Sequence, residues 1–134
     1  MLFNPEESVE LNGNTGPFIQ YTFARIKSLL RNYENSEIEV KGLDKINYRE
    51  KNIVKHLLLY PDIIYQAGKL YSPALIANYV YDLVKFFNAF YQNVSILGTK
   101  DSSLKNFRIK LSEKVSDVIF SGCLLLGMDV PDKM

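Results

Sequence analysis

The chain has 134 residues, of which 47% are hydrophobic and 23% charged, and its net charge is +1 at pH 7. These values are ordinary for one globular domain with a hydrophobic core, and the near-neutral charge argues against a strongly basic nucleic-acid-binding protein. No run of about 18 apolar residues occurs, so no transmembrane helix is expected, and the acidic start MLFNPEESVE does not resemble a signal peptide. A single cysteine, Cys123, cannot form an internal disulfide, and we therefore expect a protein of the reducing cytoplasm.

The first predicted helix follows a lead-in segment, residues 1–16, which is rich in turn-forming residues. The lead-in ends in turn-forming residues of the stretch NGNTGP, whose proline, Pro17, suits the first turn of a helix. We therefore predict a helix at about 17–33. At about 100° per residue, four large apolar side chains fall on one side and predict the core-facing stripe: Ile19, Phe23, Ile26 and Leu30.

A different side of this helix carries Phe18, Tyr21 and Arg25, which lie within about 60° of one another on the same count. One interpretation is that the two rings pack in the core and the arginine is a solvated charge, since aromatic stripes at helical spacing usually belong to a core. The other is a stacking surface beside a cation, which suits the bases and phosphates of single-stranded nucleic acid. Periodicity alone leaves both open.

The middle of the chain predicts two short helices after a polar segment, 34–46, which we expect to be a loop or short extended stretch. YREKNIVKHLLLY predicts the second helix, and Pro61 ends it or kinks it into a third helix over PDIIYQAGKLY. Four apolar residues of the second helix share its predicted core side: Ile53, Val54, Leu57 and Leu58.

Two longer helices complete the prediction. Ser72 as N-cap and Pro73 in the first turn begin the fourth helix, whose apolar stripe comprises Val80, Leu83, Val84, Phe87, Phe90 and Tyr91. Asp101 or Ser102 caps the fifth helix and Gly127 ends it, with a stripe of Leu104, Phe107, Leu111, Val115, Val118 and Leu125. Without convincing strand alternation, the fold class is all-α, a single helical bundle of about five helices.

A search for catalytic or metal-binding chemistry finds no convincing set of residues. His56 is the only histidine, which excludes histidine-rich metal sites, and the apolar run around Cys123 predicts a buried, inert thiol. No glycine-rich phosphate loop follows a strand, and no acid/base pair stands out. We therefore predict no catalytic residue, no metal site and no cofactor in this chain. On these grounds an RNA-binding domain and a helical protein–protein interaction module rank about equally.

The stretch from Thr15 to Arg25 carries a resemblance to a known family. It matches a Thr-Gly-Pro-aromatic-aliphatic-Gln-Tyr-x-x-x-Arg signature, and the chain resembles the C-terminal all-helical anticodon-binding domain of arginyl-tRNA synthetase, a class I aminoacyl-tRNA synthetase. Two further stretches, residues 56–97 and the final LLLGMDVPDKM, are similar to later motifs of the same family in the same order. Together these motifs cover nearly the whole chain.

The resemblance implies a tRNA-binding site, carried over position by position. In the family, the two rings and the arginine of the signature helix face the anticodon loop, a tyrosine late in the fourth helix approaches it, and the terminal methionine lies close by. The implied tRNA-binding residues are Phe18, Tyr21, Arg25, Tyr91 and Met134. The family also implies that the middle cytosine of the arginine anticodon is recognised. Thr22-Phe23 replaces the family's frequent Ala-His, and Ser95 replaces a larger aromatic, so Ser95 carries no implied role.

The resemblance further implies that residues 17–134 form a domain of a longer enzyme, and that the lead-in 1–16 follows its catalytic domain. The class I motifs H-x-G-H and K-M-S-K do not occur in the chain, so we expect this part to be non-catalytic. The parent would join arginine to its tRNA with ATP and Mg²⁺. The implied partners are arginine tRNA and the catalytic domain of the same polypeptide, in a monomeric cytoplasmic enzyme without membrane contact. The alternative remains a helical protein–protein interaction module.

Overall fold

The structure, a computed structural model, describes residues 16–33 and 46–131. It contains the helices α1 (Gly16–Asn32), α2 (Tyr48–Leu58), α3 (Tyr60–Lys69), α4 (Pro73–Asn93) and α5 (Ser102–Leu125). No strand occurs in these two ranges, and none of their helices combines the length and apolarity needed to cross a membrane. The all-α bundle predicted from the sequence is thus confirmed. The predicted lead-in up to residue 15 and the predicted loop from 34 to 45 lie outside the described residues.

Helix α4 is the centre of the bundle and packs against each of the other four helices. Its predicted apolar stripe is confirmed for five residues that are inaccessible to solvent: Val80, Leu83, Val84, Phe87 and Phe90. Tyr91, predicted as the sixth member, is instead partly exposed. The core around α4 stabilises the folded bundle, because each fully buried large aliphatic or aromatic side chain contributes about 1.5–3 kcal/mol by transfer from water.

Contacts along the bundle give the relative directions of the three long helices. Phe18 meets Tyr81 and, further along both helices, Arg25 meets Tyr91, so α1 and α4 run in the same direction. Helix α5 runs the opposite way, and Gly122 brings its backbone against α4, where an added Cβ would lie only 2.5 Å from Val80 Cγ2. The carboxyl-terminal ends of α1 and α4 therefore lie at the same end of the bundle.

The buried side of α5 differs from the prediction. Leu111 and Val115 are buried, but Leu125 is exposed, and the deepest positions include Ile109, Ile119 and Cys123. The buried arc also includes two serines, whose hydroxyls donate to carbonyl oxygens of their own helix, from Ser112 to Arg108 and from Ser116 to Glu113. Because their polar groups are satisfied within the helix, these serines act as small core residues. The predicted stripe, which considered only large apolar residues, therefore lies on a side of α5 that is rotated about the helix axis from the side that is buried.

The ends of the helices show three further differences from the prediction. Asp101 caps α5 as expected, and its carboxylate accepts from the amides of Ser103 and Leu104. Ser72 occupies the N-cap of α4, but its side chain makes no capping hydrogen bond. Leu58 was predicted to face the core and is 73% exposed, since it closes α2 where the chain turns into α3. The cap of α2, Asn47, was not predicted.

Gly127 ends α5 as predicted. Its φ of 73° places it in the left-handed region, and the amides of Gly127 and Met128 donate to the carbonyls of Leu124 and Cys123. These two bonds form a Schellman motif, which satisfies carbonyls left unpaired at the helix end. The motif turns the chain back towards α1, where the Gln20 side-chain amide donates to the carbonyl of Asp129 at 2.9 Å. The segment after α5 is thereby tied to the start of α1.

Candidate nucleic-acid interface

A surface cleft lies between α1 and α4 and extends over the loop that follows α4. We call it the α1–α4 cleft. It is lined chiefly by Tyr21, Arg25, Ser28, Leu29, Tyr91 and Leu97. A second depression adjoins it across Tyr91 and runs along residues 92–97. The residues from α1 occur at spacings of three and four, so helical periodicity alone brings them to one face.

Arg25 lies at the centre of this cleft between two tyrosine rings. Its Cζ atom is 4.8 Å from the ring centroid of Tyr21 and 4.6 Å from that of Tyr91. Both distances are within the range of cation–π attraction, and a planar guanidinium suits a position between two rings. The Arg25 Nη2 group also donates to the Tyr21 hydroxyl at 3.0 Å. Residues 70 positions apart in the sequence thus form one aromatic–cationic cluster.

A buried polar network fixes the orientation of the arginine. Arg25 Nη1 donates to Asn88 Oδ1 at 2.7 Å. The Asn88 amide in turn donates to Thr22 Oγ1 at 2.8 Å and to the Val84 carbonyl at 2.9 Å. Because Asn88 and Thr22 are both buried, these bonds are made away from competing water, and losing one would leave a buried polar group unpaired. The cation is therefore held in place before any ligand arrives.

Both tyrosine rings of the cleft remain accessible to solvent, although that of Tyr91 also contacts the buried ring of Phe87. Tyr21 is 49% exposed and Tyr91 is 37% exposed. Half-exposed aromatic rings beside a fixed cation offer stacking area for unpaired bases together with a charge for a phosphate. Ser28 and Asn32 add hydrogen-bonding groups along the same wall of the cleft, and Leu29 supplies apolar surface. The arrangement suits recognition of a single-stranded nucleic acid.

Of the five site residues predicted from the sequence, four lie in the described ranges, and these four occupy two different places. The structure brings together Tyr21, Arg25 and Tyr91. Phe18 lies one turn earlier on α1, where it is partly buried against the core and packs edge-on to Tyr81 with ring centroids 6.3 Å apart. The packing interpretation therefore fits Phe18, whereas the accessible-surface interpretation fits Tyr21. Met134 lies outside the described residues.

Asn88 and Thr22 were missed by sequence reasoning as parts of the site. Asn88 interrupts the apolar stretch FFNAFY, and a polar residue at such a position is a signal for a buried hydrogen-bond network. Thr22 was noted only as a departure from the family pattern. Helical spacing places each residue on its own helix but does not predict that the two helices meet there.

Cys123 and His56, which the sequence analysis did not assign to a site, are packed within the bundle. Cys123 is fully buried, and burial raises the pKa of its thiol to about 11, so the thiol stays protonated at neutral pH. The His56 ring stacks on Tyr79 at 4.1 Å between centroids, and its Nε2 atom pairs with the Tyr79 carbonyl at 2.9 Å. Across the ranges 16–33 and 46–131, no three His, Cys, Asp or Glu side chains are grouped as a metal site would require.

Comparison with known proteins gives one family and several relatives. The family model described as the DALR anticodon binding domain matches residues 19–134. The whole chain is 55% identical to part of an arginine–tRNA ligase from Flavobacterium psychrophilum and 49% identical to part of one from Parabacteroides distasonis. It spans only 22% and 23% of their respective lengths.

Solved structures show the same relationship. The chain is similar to the arginyl-tRNA synthetase of Thermus thermophilus, with a TM-score of 0.82 and 26% identity over 98% of this chain and 23% of that one. It is also similar to the arginyl-tRNA synthetase of Plasmodium falciparum, with a TM-score of 0.75 and 30% identity over 98% of this chain and 23% of that one. In both, the matching part is a minor share of a longer protein.

Proposed function

This chain belongs to the DALR anticodon-binding domain family, and we propose that it binds the anticodon loop of a tRNA at the α1–α4 cleft. The observation that carries the proposal is the position of Arg25, held between the accessible rings of Tyr21 and Tyr91. Unpaired loop bases stack on the two rings, and the guanidinium attracts the loop phosphates. The bonds to Asn88 and Tyr21 use two of its five N–H groups, so donors remain for RNA.

The parent protein is, in this proposal, an arginine–tRNA ligase, because relatives that align with the whole chain, including the two described above, carry that name. The RNA is then arginine tRNA, whose middle anticodon cytosine enters the cleft. The lead-in 1–16 joins the domain 17–134 to a catalytic domain of the same polypeptide, which uses ATP and Mg²⁺ and acts in the cytoplasm as a monomer. As further RNA contacts the proposal keeps Met134 and the part of the Phe18 ring that its packing against Tyr81 leaves accessible.

The other function considered from the sequence, a helical protein–protein interaction module, is not favoured. The family match covers residues 19–134, and the relatives align over the whole chain. The expected mark of such a module is an exposed apolar groove at its binding site. The α1–α4 cleft instead presents a cation and two tyrosines.

A substitution series at Tyr21 tests the proposal. Replacing Tyr21 by alanine is expected to weaken binding of arginine tRNA by about 1–3 kcal/mol, the usual cost of losing one base–aromatic stack. Tyr21→Phe keeps the ring and removes only the hydroxyl that accepts from Arg25, so we expect it to retain most of the affinity. The dissociation constants are measured by titrating fluorescently labelled arginine tRNA with each variant.

Tyr65→Ala is the matched control, because Tyr65 is an exposed tyrosine on α3 that does not line the α1–α4 cleft. Its affinity should equal that of the unsubstituted chain. Equal affinities for Tyr21→Ala and the unsubstituted chain would remove Tyr21 from the binding site.

A further inference from the structure

A buried ion pair lies at the start of α2, and neither of its residues lines the α1–α4 cleft. Glu50 is 0% exposed, and its Oε1 atom accepts from Arg108 Nε of α5 at 2.6 Å. Its Oε2 atom accepts from the backbone amide of Asn47 at 3.1 Å, which completes a capping box at the beginning of α2. A buried carboxylate requires a cation and further hydrogen bonds, and Glu50 has both.

The same arginine makes a second bond in another direction. Arg108 Nη1 donates to Thr99 Oγ1 at 2.9 Å, and the Thr99 hydroxyl donates to the carbonyl of Ser95 at 2.9 Å. The Thr99 amide also donates to the carbonyl of Ile96. A continuous chain of hydrogen bonds therefore runs from the buried carboxylate of α2 to the loop between α4 and α5.

This loop is a wall of the proposed RNA site. Leu97 lines the α1–α4 cleft together with Leu29 and Tyr91, and Ser95 and Ile96 line the depression that adjoins it. Ile96 is buried and fastens the loop on its apolar side. On the polar side, the described contacts that link the loop to another part of the bundle run through Thr99 to Arg108.

We propose that Arg108 is a positioning residue of the RNA site, which fixes the 95–99 loop and so sets the shape of the cleft wall that receives the anticodon loop. The inference rests on the proposed function and extends it to a residue that does not line the cleft. Arg108 bonds Glu50 through Nε and Thr99 through Nη1. A guanidinium presents these donors on separate nitrogens at a fixed spacing, whereas a lysine ammonium carries all its N–H groups on one nitrogen and does not reproduce both bonds in the same geometry.

Two conservative substitutions test the inference. Thr99→Val keeps the shape of the side chain and removes the hydroxyl, so it cuts the link to the loop and leaves the Glu50–Arg108 pair intact. Arg108→Lys keeps the charge beside Glu50 and loses the double attachment. In both variants, hydrogen exchange of the Thr99 amide, which donates to the Ile96 carbonyl, should become about tenfold faster, the factor expected from losing one hydrogen bond of ordinary net strength. Binding of labelled arginine tRNA should weaken by about fivefold to tenfold for the same reason.

The double variant and a control separate positioning from general destabilisation. Because both substitutions cut the same link, Thr99→Val should add nothing to the affinity loss in the Arg108→Lys background. Lys110→Gln removes an exposed cation two residues along α5, whose partner is Glu113, and should leave loop exchange unchanged. The urea midpoint of Thr99→Val should stay near that of the unsubstituted chain.

Each contrary result has a separate meaning. Unchanged loop exchange in Thr99→Val, or faster exchange with unchanged tRNA affinity, would overturn the positioning role of Arg108 while the proposed function stands. Failure of the unsubstituted chain to bind arginine tRNA would overturn the proposed function together with this inference.

Discussion

If the cleft binds arginine tRNA as proposed, replacing Arg25 by alanine is expected to weaken that binding by about 2–3 kcal/mol, or roughly 30- to 150-fold. The substitution removes the cation that lies between Tyr21 and Tyr91. It also leaves the buried Asn88 oxygen without its donor. The rings then lose both their spacing and the charge that attracts phosphate. Titration of labelled arginine tRNA measures the change, and circular dichroism verifies that the variant remains folded.

Two further variants divide this effect into charge and geometry. Arg25→Lys keeps the charge but has no planar group to lie between two rings, so we expect an affinity between those of the alanine variant and the unsubstituted chain. Lys69→Ala removes one positive charge at the end of α3, outside the lining of the cleft. A loss at Lys69→Ala as large as that at Arg25→Ala would show that only the total charge matters and would contradict the assignment of Arg25.

Replacing Arg108 by methionine destabilises the fold by about 3–5 kcal/mol, because Glu50 is then left as a buried carboxylate without its cation. The ion pair has side-chain exposures of 13% for Arg108 and 0% for Glu50, so solvent screens it little. Urea-induced unfolding, followed by circular dichroism, measures the loss as a lower midpoint at an unchanged slope.

Removing both charges distinguishes an uncompensated carboxylate from simple loss of packing. The double variant Glu50→Gln, Arg108→Met has no buried charge and keeps an oxygen that accepts from Asn47, so most of the stability should return. Lys110→Met is the matched control: the exposed pair of Lys110 with Glu113 at 3.5 Å contributes less than about 1 kcal/mol. Equal destabilisation by Arg108→Met and Lys110→Met would contradict a stabilising role for the buried pair.

Helical periodicity predicted the helices and most of the buried side of α4 correctly, but it also placed Tyr91 and Leu58 on buried sides, and both are exposed. Large apolar residues at spacings of three and four define the buried side of α4, and Gly127 marks the end of α5. The buried side of α5 was not predicted correctly, because Ser112 and Ser116 satisfy their hydroxyls within the helix and pack as small residues. A pattern of hydrophobic residues cannot distinguish such serines from solvated ones.

The candidate site was predictable where it depends on one helix. Tyr21 and Arg25 share a face of α1 by their spacing alone, whereas the approach of Tyr91 depends on how α1 and α4 pack. Pairs formed across the bundle leave no mark in the local pattern. Glu50 and Arg108 are 58 residues apart. In the sequence, the residues next to each are like those beside an ordinary surface charge. Their pairing, and the attachment of the 95–99 loop to it, required the tertiary structure.

Recognition of the anticodon at the α1–α4 cleft is tested most directly by one titration. Labelled arginine tRNA and a copy with a changed middle anticodon base are each titrated with the chain at two salt concentrations. We expect binding that weakens with salt as counterions are released, and an affinity about tenfold lower for the altered tRNA, as for the loss of one base contact. Equal affinities for the two tRNAs would contradict recognition of the anticodon by this chain.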